Sequence, residues 1–166
     1  TRGQLTDHYN PRDKTLYLSQ GVARTPSVAA MGIVAHEVAH AQQDQQAYLP
    51  MRVRGGLVPV VQLGSWLGPL VFIAGMLLQQ GNLSLIGLLL FSGTLLFSLV
   101  TLPVELNASR RAMVMLQNGG LVSTTEADGA RSVLSAAALT YVAAVAQSVS
   151  TLLYYIFLMG GVRRRD

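Results

Sequence analysis

Between Gly55 and Val104 the sequence contains no Asp, Glu, Lys, Arg or His, and few folds accommodate so long an uncharged segment. Two apolar runs lie within it, Leu57 to Leu78 and Leu83 to Leu102. Each approaches the roughly 20 residues that a helix needs to cross the hydrocarbon core of a membrane. Because the link Gln79-Gln80-Gly81-Asn82 is short, the two helices are expected to be antiparallel. The sequence therefore predicts a transmembrane helical hairpin.

The composition supports a membrane protein. Hydrophobic residues make up 51% of the chain and charged residues 12%, about half the charged share of soluble domains. Eleven of the twelve basic residues are arginines, since Lys14 is the only lysine. The arginines that border uncharged stretches are Arg52, Arg54, Arg110, Arg111, Arg131, Arg163, Arg164 and Arg165. This placement suits a lipid bilayer as partner better than a nucleic acid.

The remaining segments indicate a small hairpin followed by helices. Two extended runs, Leu5 to Tyr9 and Thr15 to Ser19, are joined by the turn-forming Asn10-Pro11-Arg12-Asp13 and predict a β-hairpin. Ser27 is the expected N-cap of a long helix that reaches about Gln46. After the transmembrane hairpin, Pro103 to Gln117 is expected to form a separate helix.

The C-terminal part predicts one more long helix. Ser123-Thr124-Thr125-Glu126 matches a capping box, and the apolar run from Val133 to Met159 is a third candidate for a membrane span. Whether this run crosses completely stays open. We expect a mainly α integral membrane fold, with a single domain made of residues 1–54, 55–104 and 105–166. The chain begins at Thr1 without methionine, so its N-terminus is expected to be truncated or processed.

The candidate site is His36-Glu37-Val38-Ala39-His40, which fits the pattern H-E-x-x-H. Residues four apart share one face of a helix, so both imidazoles can bind one metal ion. Glu37 lies one step round the helix, where it can act as general base toward water that the metal activates. Alternatively the three residues decorate a solvated face, but the apolar residues around them predict burial, and buried polar groups need partners.

A catalytic zinc ion usually has three protein ligands and one open position. The chain has no cysteine, so any metal must be held by histidine, carboxylate or amide groups. The candidates we consider for a third ligand are the remaining histidine, His8, and the two remaining glutamates, Glu105 and Glu126. Glu126 is better explained by its capping box. Glu105 follows the second apolar run, and the hairpin returns it to the side that carries the H-E-x-x-H helix. Alternatively, Glu105 is a helix-start carboxylate that interacts favourably with the helix dipole near Pro103.

Several segments together resemble a known family, the YugP-type neutral zinc metallopeptidases of bacterial membranes. These segments are Leu5 to Pro11, Ala35 to Gln43, Thr101 to Arg111 and Ala136 to Ala144. The resemblance implies a multi-pass peptidase of the bacterial cell membrane that binds Zn²⁺ and hydrolyses peptide or protein substrates. It also implies His36 and His40 as zinc ligands and Glu37 as the catalytic carboxylate.

The order of motifs is also similar to that of HtpX-like and CAAX prenyl proteases, in which a membrane hairpin separates the H-E-x-x-H helix from a glutamate ligand. By this analogy Glu105 is the third ligand, and the site is gluzincin-like. Those relatives have an aspartate four residues after the glutamate that orients a ligating histidine, whereas this chain has Ser109. A serine accepts a hydrogen bond but carries no charge, so Asn107 or water is an alternative for that role.

Peptide hydrolysis also needs a donor that stabilises the oxyanion, and His8 and Tyr141 are the candidates. Either can instead be structural, His8 as a strand residue and Tyr141 as a packing residue.

The rival interpretations are a catalytically silent scaffold or regulatory subunit of a membrane protein complex, and a metal-binding membrane module without a peptide substrate. Whether the chain binds further copies of itself is left open.

Five arginines on the side of the site predict a cytoplasmic location by the positive-inside rule. They are Arg52, Arg54, Arg110, Arg111 and Arg131. Against this, Arg163 to Arg165 would lie outside the cell if the last helix crosses the membrane completely.

Overall fold

Helices dominate the structure, a computed structural model that describes residues 6–163, with side chains described for residues 6–160. The elements in chain order are β1 (His8–Asn10), β2 (Thr15–Tyr17), α1 (Gln20–Arg24), α2 (Val28–Gln45), α3 (Leu49–Leu77), α4 (Gly81–Asn118) and α5 (Thr124–Arg163). The mainly α fold with a small N-terminal hairpin is thus confirmed. The predictions that concern Leu5, Arg164, Arg165 and the side chain of Arg163 lie outside the described residues.

The β-hairpin is shorter than the sequence predicts. β1 and β2 pair antiparallel with His8 opposite Tyr17 and Asn10 opposite Thr15. Asp13 holds the turn, because its carboxylate accepts hydrogen bonds from the Asn10 amide at 3.1 Å and the Tyr17 hydroxyl at 2.6 Å. These bonds close the turn within a few residues, as expected for an Asn-Pro-x-Asp connection.

Helix α2 begins where the sequence predicts. The Ser27 hydroxyl accepts a hydrogen bond from the backbone amide of Ala30 at 3.1 Å, which satisfies one of the free amides of the first turn. A short helix that the sequence reading missed, α1, precedes α2 and is capped in the same way by Ser19. The position of α2 in the chain brings the H-E-x-x-H residues onto one regular helix.

Three of the described helices, α3, α4 and α5, are long and apolar enough to cross a membrane. Proline interrupts none of them: Pro59 and Pro69 lie inside α3, and Pro103 lies inside α4. The prediction that Pro103 starts a separate helix is wrong. The buried Val104, Ala108 and Ala112 continue the packed face of α4 past the proline. Their burial offsets the backbone hydrogen bond that the proline cannot donate.

The chain divides into two compact units. Unit 1 consists of Thr1–Arg52 and Pro103–Thr140, and unit 2 consists of Val53–Leu102 and Tyr141–Asp166. The core of unit 1 contains three alanines and two leucines on α2, α4 and α5: Ala35, Ala112, Leu116, Ala130 and Leu134. Alanine side chains allow helix backbones to approach closely, so α2 packs tightly in unit 1. That the whole chain is one domain stays a prediction.

Unit 2 is packed through glycines. A Cβ atom added at Gly64 would lie 2.6 Å from the carbonyl oxygen of Leu90, and one at Gly68 would lie 2.8 Å from the backbone nitrogen of Phe91. The G-x-x-x-G spacing of Gly64 and Gly68 in α3 thus serves close packing against α4. Phe72 is almost fully buried and stacks on Tyr155, with ring centroids 4.4 Å apart.

Candidate metal centre

His36 and His40 lie one turn apart on α2, and their rings meet edge to face with centroids 4.7 Å apart. A helix brings residues i and i+4 onto one face, which accounts for this arrangement. Both side chains are largely shielded from solvent, with relative exposures of 13% and 10%. The interpretation of this motif as a solvated surface decoration is therefore disfavoured by the burial.

Glu105 of α4 completes the cluster. Its Oε2 atom lies 3.1 Å from Nε2 of His36 and 3.5 Å from Nε2 of His40, and the residue is only 1% exposed. The three potential ligand atoms all lie within 4.8 Å of one another. Of the three residues considered for a third ligand, Glu105 is thus the one that lies beside both imidazoles.

The donor set and its spacing fit zinc. Zinc–nitrogen and zinc–oxygen bonds of about 2.0–2.2 Å in a tetrahedral site place neighbouring ligand atoms about 3.3 Å apart. The two distances from Glu105 to the histidines, 3.1 and 3.5 Å, bracket that value. Two imidazoles and a carboxylate are also a ligand set that catalytic zinc sites use, with a fourth position left for water or substrate.

Each histidine contacts a second polar group through its other ring nitrogen. Ser109 Oγ lies 3.3 Å from Nδ1 of His36. Gln43 Oε1 lies 2.9 Å from Nδ1 of His40. The sequence reading missed Gln43, although its spacing of three residues from His40 on one helix could have indicated the contact.

The electrostatic environment of His40 has two opposing parts. Burial lowers the pKa of this imidazole, whereas the hydrogen bond and the negative charge of Glu105 raise it, and the net pKa lies above the usual histidine value. Glu105 thus favours positive charge beside His40. The negative charge of Glu105 would stabilise a bound divalent cation in the same way.

Glu37 is buried on α2 and binds the hairpin. Its Oε2 atom accepts a hydrogen bond from the backbone amide of Tyr9 in β1 at 2.8 Å. A carboxylate offers about four lone-pair positions on two oxygens, so Glu37 keeps capacity to accept a proton. The bond fixes the direction of the carboxylate and places strand β1 directly beside it.

A second contact attaches the hairpin to the C-terminal half of α2. The Tyr9 hydroxyl donates to Asp44 Oδ2 at 2.7 Å, and Lys14 Nζ forms an ion pair with the same oxygen at 2.5 Å. The hydrogen bonds from Lys14 and Tyr9 lower the pKa of Asp44, while partial burial and the bond to Asp44 raise the pKa of Tyr9 to about 12. We call these three residues, Tyr9, Lys14 and Asp44, the hairpin latch.

The two candidate oxyanion donors lie in different units. His8 is an exposed residue of β1 that stacks on Tyr17 at a centroid distance of 4.9 Å, and its Nδ1 atom lies 2.9 Å from the carbonyl oxygen of Thr6. Tyr141 lies in α5, is half-buried and belongs to unit 2. The role of each as an oxyanion donor stays a prediction.

Long apolar helices together with a largely buried His-His-Glu cluster define a class: helical membrane proteins with a site for a divalent metal. Comparison with known proteins narrows that class. A family model described as "Putative neutral zinc metallopeptidase" matches residues 1–160. The chain belongs to this family of zinc metallopeptidases, so its metal is Zn²⁺.

One curated relative supports the same assignment. The chain is 44% identical over 157 residues to a Bacillus subtilis protein named "Putative membrane protease YugP", which covers 95% of this chain and 70% of the relative. No solved structure matches the chain. The resemblance inferred from the sequence motifs is thereby confirmed, and the chain is similar to a membrane protease.

Proposed function

We propose that this protein is a membrane-embedded, gluzincin-like zinc endopeptidase in which His36, His40 and Glu105 hold the metal and Glu37 is the general base. The observation that carries the proposal is the convergence of three potential ligands within 4.8 Å of one another, two of them buried and His36 partly buried, with Glu37 on the same helix as two of them. The family supplies the substrate class, which is peptide or protein.

The residues divide the chemistry between them. When bound, zinc acts as a Lewis acid that polarises the scissile carbonyl and lowers the pKa of water in the site. Glu37 accepts the proton of the attacking water and returns it to the leaving amine. The Tyr9 amide holds Glu37 in place during these transfers, because its bond to Oε2 restricts the carboxylate.

The test compares two variants of the purified protein in detergent. Glu37→Gln keeps the size of the side chain but cannot accept a proton, so peptide hydrolysis should fall by a factor of at least about 100, the lower end for loss of a general base. Its zinc content should stay at the parental level, because Glu37 is not a ligand. His36→Ala removes a ligand, so both bound zinc and hydrolysis should be lost.

The outcome separates the enzyme from its rivals. A catalytically silent scaffold would bind zinc but show the same phenotype with glutamine as with glutamate at position 37. A metal-binding module would release stoichiometric zinc in His36→Ala and cleave no substrate in either form. Retention of full hydrolysis by Glu37→Gln would refute the proposed base.

The site is proposed to lie on the cytoplasmic side, where the arginine distribution predicts it.

A further inference from the structure

A continuous hydrogen-bonded chain connects His40 to an arginine on α4. Gln43 is fully buried, and its side-chain nitrogen donates to the backbone carbonyl of Val104 at 2.9 Å and to Asn107 Oδ1 at 3.0 Å. Asn107 Oδ1 also accepts from Nε of Arg111 at 2.7 Å. The oxygen of Gln43 lies 2.9 Å from Nδ1 of His40. Four side chains thus form one line between the surface of unit 1 and the zinc site.

The hydrogen-bonding partners of Asn107 and Gln43 fix which way each side-chain amide is turned. A guanidinium can only donate, so the Asn107 atom that meets Arg111 must be its oxygen. A backbone carbonyl can only accept, so the Gln43 atom that meets Val104 must be its NH₂ group. The amide oxygen of Gln43 therefore faces His40. An oxygen facing Nδ1 requires a proton on that nitrogen, which leaves the lone pair of the neutral ring on Nε2.

We propose that Gln43 is a positioning residue of the zinc site: it fixes His40 as the tautomer protonated at Nδ1 and presents Nε2 to the metal. Nε2 is the atom of His40 that lies 3.5 Å from Glu105 Oε2, so the tautomer and the cluster geometry agree. The inference rests on the proposed function, because it assigns a role toward zinc. It extends that function to Asn107 and Arg111, which hold the Gln43 amide in its only productive direction.

A neutral amide suits this position because the site already contains a buried carboxylate. Glu105 is 1% exposed, and a second buried negative charge within the same cluster would need its own compensation. Gln43 supplies an acceptor without a charge and uses its donors to tie α2 to the Val104 and Asn107 turn of α4. Since Glu105 follows Val104 directly, the same bonds hold the helix segment that delivers the third ligand.

The first experiment measures Zn²⁺ affinity of the full chain in detergent by competition with a chelator. Gln43→Met keeps the side-chain length but removes both the donor and the acceptor, and we expect Zn²⁺ to bind about 10–100-fold more weakly, as for other partners of metal-ligating histidines. The matched control is Gln42→Met, one residue earlier on α2, whose amide contacts Met115 rather than a zinc ligand. The control should bind Zn²⁺ within about 3-fold of the parent.

A second pair of variants tests the line at a site away from α2. Asn107→Leu removes the acceptor shared by Gln43 and Arg111, and should weaken Zn²⁺ binding in the same direction as Gln43→Met. Asn107→Asp keeps an oxygen at that position, so it should retain Zn²⁺ affinity close to the parent. If Asn107 only filled space, Asn107→Asp would not restore the Zn²⁺ affinity that Asn107→Leu loses. This pair decides the question even if Gln43→Met fails to fold.

Histidine ¹⁵N spectra of the zinc-bound protein provide a readout independent of affinity. The chain has only three histidines, so a His8→Gln variant simplifies the assignment. We expect a slowly exchanging Nδ1 proton on His40 in the parent and fast exchange of that proton in Asn107→Leu.

The outcomes separate the inference from the proposed function. If the parent binds no Zn²⁺, or His36→Ala binds it equally well, the proposed function fails. If the parent binds Zn²⁺ through His36 but Gln43→Met matches Gln42→Met, or Asn107→Leu matches Asn107→Asp, only the role of Gln43 is refuted.

Discussion

Replacing Tyr9 by Phe removes one hydroxyl from the hairpin latch and leaves the Tyr9 amide bond to Glu37 intact. The lost bond is charge-assisted, since it joins a hydroxyl to the Asp44 carboxylate at 2.7 Å. Hydrogen bonds to charged groups contribute roughly 1.5–3 kcal/mol when well shielded. The Asp44 side chain is 21% exposed, so we reduce the expected contribution to about 1 kcal/mol. That corresponds to an approximately 5-fold increase in the opening equilibrium of the hairpin.

Removing the ammonium group with Lys14→Ala should have a smaller effect. The ion pair, at 2.5 Å, is shorter than the hydrogen bond, at 2.7 Å. The Lys14 side chain is 66% exposed, however, and exposed ion pairs contribute roughly 0–1 kcal/mol. We expect about 0.5 kcal/mol, or an approximately 2-fold change in hairpin opening. The exposure of the Lys14 side chain to solvent therefore decides the size of the effect more than the short distance of the ion pair does.

Amide hydrogen exchange of β1, read by mass spectrometry in detergent, measures this opening directly. The peptide that covers Tyr9 should exchange about 5-fold faster in Tyr9→Phe and about 2-fold faster in Lys14→Ala, from the estimates above. Peptides from the core of α2 should not change. A peptidase assay run in parallel should show the same order of loss, because the hairpin positions Glu37.

The latch should also depend on pH with a defined sign. The lowered pKa of Asp44 means that its contribution is present above the ordinary carboxyl value of 3.8 and is lost as the pH falls below it. The raised pKa of Tyr9 means that its contribution is present below 10 and is lost as the pH rises through about 12. Between these limits, exchange corrected for its intrinsic rate should be constant in the parent. Equal effects of Tyr9→Phe and Lys14→Ala, or a larger effect of Lys14→Ala, would refute the reasoning.

Two further predictions concern the apolar helices. Gly87→Ala places a Cβ against the backbone of Phe72, which cannot give way, so the thermal midpoint in detergent should fall by the equivalent of about 1–3 kcal/mol, the usual cost of overpacking. Gly93→Ala is the matched control: its Cβ would meet only Val61 at 3.9 Å, so the higher helix propensity of alanine should leave stability unchanged or raise it by up to about 1 kcal/mol. Because the chain has no cysteine, a single Gln80→Cys variant reports topology, and a membrane-impermeant maleimide should label it in intact cells if the zinc site is cytoplasmic. Labelling only after lysis would contradict the arginine-based orientation.

The parts of the fold that the sequence predicts are those set by periodicity and local chemistry. The uncharged segment predicts α3 and the first part of α4, and Ser27 predicts the start of α2. The spacing of His36 and His40 predicts that they share a face, because helical geometry is local. Glu105 could also be predicted as their neighbour. The chain has few other candidate carboxylates, and the transmembrane hairpin returns Glu105 to the side of the membrane that carries His36 and His40.

Contacts between distant segments could not be predicted in this way. The bond from the Tyr9 amide to Glu37 depends on where the hairpin docks, and a backbone donor has no signature in the sequence. The role of Gln43 emerges only when Val104 and Asn107 are known to lie beside it. The continuation of α4 through Pro103 failed as a prediction because tertiary burial outweighs the local preference of proline.

The separation of His36 and Glu105 by 69 positions, with α3 and most of the apolar part of α4 between them, has a consequence for biosynthesis. A nascent chain that has not yet been translated as far as Glu105 carries only two of the three proposed ligands. Zinc binding by all three residues must therefore wait until α3 and the part of α4 that contains Glu105 have left the ribosome. The hydrolytic capacity proposed for this site would therefore arise late in synthesis.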